Sequence, residues 1–160
     1  MAMVDLRDLL ADLKLANPRT LLQSGNVVFE ADSRPAAELE SLLESELQRR
    51  LGVAADIIVR TGKEWQEVIA RNPFTEEAEG DPGRLIVVVL KQPPAPQRVT
   101  DLQAGIAGPE IVRAGQKHLY IVYPEGVGRS RLTNAVIERT LGTRGTGRNW
   151  NTVLKLGALT

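Results

Sequence analysis

The sequence repeats one order of elements: a helix, a hairpin that turns at a small residue followed by glycine, and a second helix. In the first half, four leucines have the i, i+3, i+4, i+7 spacing of one helical face: Leu6, Leu9, Leu10 and Leu13. We expect this helix to end at Asn17-Pro18, followed by strands over residues 20–23 and 26–31. Leucines between residues 39 and 51 predict the second helix, closed by Gly52, and residues 57–60 then predict a strand.

The second half shows the order strand, helix, hairpin, helix, short strand. It opens with an apolar, mostly β-branched run over residues 85–90, which suits a strand buried on both faces. A helix carrying Val99 and Leu102, a hairpin over residues 110–123 and a helix capped by Thr133 follow. This is the βαββαβ pattern of the ferredoxin-like fold. The sequence therefore predicts an α+β protein of two fused ferredoxin-like halves, the first lacking its opening strand.

A change of composition separates the two halves. Residues 75–83 are rich in Glu, Asp and Gly, which predicts an exposed acidic linker. We therefore expect a first half over residues 1–74, the linker over 75–83, and a second half over 84–160 that ends in a helix. Just ahead of the linker, Thr61 and Glu64 have the spacing of a helix capping box.

The composition excludes several kinds of site. The chain has no cysteine, which excludes a disulfide framework, a thiolate nucleophile and a cysteine-bound metal. It has a single histidine, His118, which we expect at the surface of a strand, and no serine-nucleophile motif. We therefore predict no metal, no cofactor and no catalytic residue.

Two further features bear on location. The longest apolar run has the length of a strand, far below the ~20 residues of a membrane-spanning helix. The first residues lack the basic and apolar regions of a signal peptide. We expect a cytoplasmic protein with no membrane partner.

Charge is distributed unevenly along the chain. Residues 1–125 hold 14 basic and 19 acidic residues, whereas residues 126–160 hold 6 basic residues and 1 acidic residue. Such asymmetry is typical of an anion-binding end. The alternative is that the basic end packs near acidic segments of the same chain.

Five segments together resemble the bacterial family called domain of unknown function 1697. They are residues 22–29 (Leu-Gln-Ser-Gly-Asn-Val-Val-Phe), 71–74 (Arg-Asn-Pro-Phe), 123–126 (Tyr-Pro-Glu-Gly), 132–134 (Leu-Thr-Asn) and 148–156 (Arg-Asn-Trp-Asn-Thr-Val-Leu-Lys-Leu). The resemblance covers nearly the whole chain and implies two ferredoxin-like halves with no established activity. Members usually open with a strand and a glycine-rich loop that this sequence lacks, so we expect it to be truncated at its start.

The first candidate site is at residues 148–150. Asn149 stands where a helix N-cap is expected, between Arg148 and Trp150. Free N–H groups at a helix start, next to Arg148, suit an anion, and Trp150 offers a face for stacking on a base. The alternative is a capped helix with a tryptophan in the core.

The second candidate site is the basic, glycine-containing loop over residues 126–131, which carries Arg129 and Arg131. Backbone N–H groups of such a loop can cradle a phosphate, although the spacing is not that of a P-loop or a dinucleotide fingerprint. The alternative is a solvated connector.

Polar residues elsewhere are weaker candidates. Gln23 and Asn26 are secondary candidates, because their side chains could form hydrogen bonds with an amide or a base. The preference of asparagine for turns is by itself enough to explain Asn26. Glu40 and Glu44, four residues apart on one helix, predict a solvated face rather than a catalytic pair. Tyr120 lies on the face of its strand opposite to Tyr123.

Three functions remain open. The first is a binding module for a small phosphorylated or nucleotide-like anion at the basic C-terminal end. The second is a protein–protein interaction module, with a homodimer as its simplest form, and the third is an enzyme that uses the absent N-terminal loop. With 4% aromatic residues and zero net charge, we expect no nucleic-acid partner.

Overall fold

The structure, a computed structural model, describes residues 3–21, 25–31 and 34–160. It confirms the α+β class, with helices and two antiparallel sheets. The chain forms two compact units, one of residues 1–65 and 155–160 and one of residues 66–154. None of the helices in the described ranges combines the length and apolar character needed to cross a bilayer.

The first unit is built on leucine-rich helices and a hairpin. Its described elements are α1 (Met3–Asp12), β1 (Ala16–Leu21), β2 (Asn26–Glu30), α2 (Ala36–Leu51) and the first part of α3 (Gly62–Ala70). β1 and β2 pair antiparallel, as predicted. The leucine faces of α1 and α2 pack into one buried cluster, whose members are Leu6, Leu9, Leu10, Leu15, Leu39, Leu43 and Leu47. The predicted helical faces are therefore confirmed except at Leu51, the last residue of α2, which is 37% exposed.

The predicted capping box forms at the start of α3. The backbone N–H of Glu64 donates to Thr61 Oγ1 (3.1 Å), and the N–H of Thr61 donates to Glu64 Oε1 (2.9 Å). The two residues thereby satisfy N–H groups that a helix start leaves unpaired.

β1 begins earlier than predicted. Asn17-Pro18, expected to end the first helix, lies within the strand, and α1 ends already at Asp12. The pairing register shifts between Ala16, which faces Glu30, and Arg19, which faces Val28, so β1 carries one extra residue. This β-bulge explains how a proline fits in the strand, because the bulged residues leave the hydrogen-bond ladder.

Residues 57–60 do not form a strand, so that prediction is wrong. The backbone N–H of Ile57 donates to the Glu44 carboxylate (3.0 Å), and the N–H of Val59 donates to the Glu40 carboxylate (2.9 Å). Side chains of α2 therefore satisfy backbone groups that a neighbouring strand would otherwise bind. The predicted solvated face is also wrong, because Glu40 is only 6% exposed.

From residue 85 onward, the second unit has the predicted order of strands and helices. After the end of α3 come α4 (Thr75–Gly80), β3 (Leu85–Leu90), α5 (Pro96–Ala104), β4 (Ile111–Ala114), β5 (His118–Val122), α6 (Asn134–Leu141), β6 (Gly145–Asn149) and most of α7 (Trp150–Ala158). The strands form one antiparallel sheet in the order β4-β5-β3-β6. The segment expected to be an acidic linker contains α4 and a 3₁₀ turn at Pro82–Arg84.

One face of this sheet packs against α5 and α6. The cluster joins alternate residues of the strands to the apolar faces of the two helices, and its members include Val88, Leu90, Leu102, Val112, Leu119, Ile121, Tyr123, Ile137 and Leu141. In β3, the residues that alternate with the members of this cluster are buried as well, namely Leu85, Val87 and Val89. The prediction that β3 is buried on both faces is confirmed.

Glycines allow β6 to lie against β3. A Cβ atom at Gly145 would stand 3.0 Å from Leu90 Cδ2 and 3.1 Å from Val88 Cγ1, and one at Gly147 would stand 3.2 Å from Ile86 Cγ2. These distances are shorter than ordinary van der Waals contact, so side chains of β3 occupy the space above both glycines. The glycine-rich stretch of the sequence is thus an edge strand.

The two tyrosines lie on opposite faces, as predicted. Tyr123 belongs to the α5–α6 cluster, and Tyr120 alternates with the cluster residues of β5. The Tyr120 hydroxyl donates to the carbonyl of Val68 (2.6 Å), and the Tyr123 hydroxyl donates to that of Leu132 (3.0 Å). Burial raises the pKa of each hydroxyl to about 12, because the charged phenolate loses solvation.

We predict that Glu40→Ala lowers the free energy of unfolding by about 1–3 kcal/mol, because it leaves the Val59 N–H without its acceptor. Glu40→Gln should cost less, since an amide oxygen still accepts the bond. The exposed Glu38 on the same helix is the control, and Glu38→Ala should cost about 0.3–1 kcal/mol through the helix dipole alone. Urea unfolding measures all three; equal stability of Glu40→Ala and Glu38→Ala would contradict the role of Glu40.

We also predict that the tyrosines ionise late. The phenolate absorbance of the folded protein, which reports on only two tyrosines, should rise near pH 12, whereas in denaturant it should rise near pH 10. The pKa of each phenol is higher in the folded chain than in the unfolded chain. The stability that the neutral phenols contribute is therefore fully present below about pH 10 and is lost as the pH rises through about 12. Titration of both phenols near pH 10 in the folded protein would show that they are not buried.

Candidate functional site

The register of the second sheet brings several chain segments to one of its ends. Leu85 at the start of β3 faces Val122 at the end of β5, and Ile86 faces Asn149 at the end of β6. Ile111, the first residue of β4, also faces Val122. The loop that follows β5 and the start of α7 therefore lie at the same end of the sheet.

The loop after β5 is fixed at its base. The Ser130 hydroxyl donates to the Glu110 carboxylate (2.5 Å) and accepts the N–H of Leu132 (3.0 Å). The Arg84 guanidinium donates to the carbonyl of Pro124. Sequence reasoning missed the Ser130–Glu110 pair, because the two residues are 20 positions apart and belong to no shared motif.

The middle of this loop is exposed and basic. Gly126 has a φ of 88°, a conformation that favours glycine, and a 3₁₀ turn follows at Val127–Arg129. Arg129 and Arg131 are exposed, and neither side chain makes a hydrogen bond or ion pair within the described ranges. By contrast, Arg144 approaches Glu138 to 3.7 Å. The loop thus presents two cationic groups to solvent.

Arg148 is held within β6. Its Nη1 donates to Thr146 Oγ1 (2.7 Å) and to the carbonyl of Gly147 (2.8 Å). These partners precede Arg148 in the strand, so the guanidinium is directed away from the end where the basic loop lies. Partial burial lowers the pKa of the guanidinium from its very high ordinary value, and the group stays charged at neutral pH.

Asn149 and Trp150 start α7. Asn149 Oδ1 accepts the N–H of Thr152 (3.0 Å), which is the hydrogen bond of an N-cap. Trp150 is only 5% exposed, so little of its ring is available for stacking on a base. This geometry is that of a capped helix with a core tryptophan, and anion binding by these residues stays a prediction.

The secondary candidates lie elsewhere. Gln23 falls outside the described residues, and Asn26 is the buried first residue of β2. His118, expected at the surface, is partly buried, with its ring centroid 4.9 Å from that of Tyr120 in an edge-to-face contact. A Cβ atom at Gly115 would stand 2.1 Å from His118 Nε2, so the imidazole lies directly over the hairpin turn.

Within the ranges that the structure describes, no three ligating side chains are grouped closely enough to hold a metal ion. At this end of the sheet the loop presents exposed guanidinium groups, a type of group that can donate hydrogen bonds to anions.

Comparisons with known proteins agree with this architecture. A conserved bacterial protein from Streptococcus pneumoniae, of known structure, superposes with a TM-score of 0.77, covering 99% of this chain and 88% of the other at 17% identity. At that identity the likeness shows the fold alone. No curated protein matches the sequence. The family model described as "Protein of unknown function (DUF1697)" matches residues 1–120, three quarters of the chain, and the chain therefore belongs to this family.

Proposed function

We propose that the protein is a binding module for a small phosphorylated or nucleotide-like anion, held by the basic loop over residues 126–131. The observation that carries this proposal is the pair of exposed guanidinium groups of Arg129 and Arg131, which have no partner in the described residues. They extend from a loop whose base is fixed by Ser130 and Arg84. A fixed base lowers the entropy that the loop loses when it binds a ligand.

The chemistry of the loop favours phosphate over other groups. Guanidinium groups donate two parallel hydrogen bonds to phosphate or carboxylate oxygens. The backbone N–H of Gly126 already donates to the carbonyl of Tyr123 (2.9 Å), so the two arginines, and not that N–H group, are the donors that the loop offers. The surrounding segment adds to the attraction, because residues 126–160 have a net charge of +5. Since Trp150 is buried, the proposal rests on the anionic group of the ligand and not on stacking of a base.

We predict that the double variant Arg129→Ala/Arg131→Ala binds inorganic phosphate and adenosine monophosphate at least about tenfold more weakly than the natural chain. A hydrogen bond to a charged group contributes about 1.5–3 kcal/mol, and about 1.4 kcal/mol corresponds to a tenfold change. Isothermal titration at low ionic strength measures the affinity. Both arginines are exposed, so the variant should unfold at the same urea concentration as the natural chain.

The control removes the same kind of charge from another place. Arg139 is exposed on α6 in the same basic segment, and Arg139→Ala should leave phosphate binding within about twofold, the size of a screened long-range effect. An equal loss in the control would mean that net charge, and not the loop, attracts the anion. Absence of binding by the natural chain would overturn the proposal.

The alternative of a protein–protein interaction module has one observation in its favour. Val127 is 47% exposed and Ile111 is 37% exposed, and both lie towards the same end of the sheet. However, the Gln103 side chain accepts the N–H of Val112 (2.9 Å) and covers part of the outer edge of β4. A covered edge is a poor template for strand pairing with a second chain, so we rank this alternative second.

We further propose that both halves are ferredoxin-like and that the protein resides in the bacterial cytoplasm. The βαββαβ order of the second unit and the helix–hairpin–helix order of the first support the fold assignment. A bacterial source is in keeping with the Streptococcus pneumoniae protein of similar structure. Fractionation of cells that express the chain should recover it with the cytoplasmic proteins; recovery with periplasmic or membrane proteins would contradict this location.

A further inference from the structure

A polar cleft in the first unit was not foreseen from the sequence. It has a volume of about 600 Å³ and is lined by Arg7, Asn17, Pro18, Arg19 and Glu30. Three elements supply these residues, because α1, the bulge of β1 and the end of β2 meet there. It is open to solvent, because Arg7, Asn17, Arg19 and Glu30 are all exposed.

The backbone at the cleft has an unusual conformation. Asn17 has a φ of 49°, in the left-handed region that asparagine adopts more readily than most residues other than glycine. It also precedes a proline, which normally restricts the preceding residue to extended conformations. β-bulges with such geometry occur preferentially next to binding sites, where they redirect side chains.

One of the two arginines is held in place. Arg19 Nη2 donates to the carbonyl of Leu159 (2.8 Å) near the end of α7, which leaves its other N–H groups for a ligand. Arg7 is exposed on α1, and its side chain makes no hydrogen bond or ion pair within the described ranges.

Opposite charges line this cleft without pairing. Glu30 is exposed, and in the described part of the chain no ion pair joins its carboxylate to Arg7 or Arg19. Positive groups and a negative group around one open volume are complementary to a ligand that carries both charges.

We propose that this cleft binds a small zwitterion with the chemistry of a free α-amino acid, its carboxylate on Arg7 and Arg19 and its ammonium group on Glu30. The planar guanidinium fork matches a carboxylate, and the Glu30 carboxylate accepts hydrogen bonds from the ammonium group. Glu30 repels a plain anion, and the two arginines repel a plain cation, so each charge also excludes the wrong ligands.

This site is independent of the basic loop over residues 126–131. The two belong to different units of the chain and take ligands of different net charge. Failure of one proposal therefore leaves the other standing.

The experiment uses the whole chain and an equimolar mixture of the twenty common α-amino acids. Saturation-transfer NMR identifies the amino acids that bind, and calorimetric titration then gives the affinity of the strongest one. We expect its deaminated acid and its carboxamide each to bind at least about fivefold more weakly, because each lacks one of the two charges.

Variants locate the binding. Arg7→Gln should weaken binding of the amino acid at least about fivefold, and Glu30→Gln should reduce the preference over the deaminated acid. Both side chains are exposed, and the control is Arg49→Gln, an exposed arginine of the same unit that pairs with Glu46 and does not line the cleft. The control, and the Arg129→Ala/Arg131→Ala variant, should bind as the natural chain does.

Two results would overturn the proposal. One is the absence of saturable binding of any amino acid up to about 10 mM, a very weak affinity. The other is binding that Arg7→Gln and Glu30→Gln leave unchanged, since the ligand would then occupy a different surface.

Discussion

The pairing of β3 on both edges organises the second unit. β3 bonds to β5 on one side and to β6 on the other, and its residues are buried on both faces. Its backbone groups form hydrogen bonds with the two neighbouring strands, and its side chains are buried in the core. These two conditions together make β3 the most constrained segment of this unit. The basic loop and the start of α7 come to one end of the sheet because the strands that precede them pair with β3 in a fixed register.

The first unit satisfies its backbone by other means. Residues 57–60 contain the β-branched residues typical of a strand, but Glu40 and Glu44 of α2 bind their N–H groups. A carboxylate accepts such a bond with more strength than a neutral carbonyl, so this arrangement is a sufficient substitute for a strand neighbour. The two carboxylates therefore have a structural task, although their spacing on the helix is that of an ordinary solvated pair.

Elements that depend on local pattern could be predicted from the sequence, and those that depend on distant partners could not. The leucine faces of α1 and α2, the capping box at Thr61 and the β3 run follow from spacing alone. The strand expected at residues 57–60 failed because its N–H partners lie 13 and 19 residues away. At the candidate site, exposure of Arg129 follows from its loop, whereas the direction of the Arg148 side chain depends on Thr146 and could not be read from sequence.

The glycines of β6 restrict how this strand can vary. A side chain at Gly145 or Gly147 would meet the ends of side chains of β3, which would have to shift by a few tenths of an ångström to admit even a methyl group. Thr146 and Arg148 alternate with them and point to the other face. A library of variants that randomises residues 145–148 should therefore retain more diversity at 146 and 148 than at 145 and 147, and new surface chemistry on this edge should arise mainly from one side of the strand.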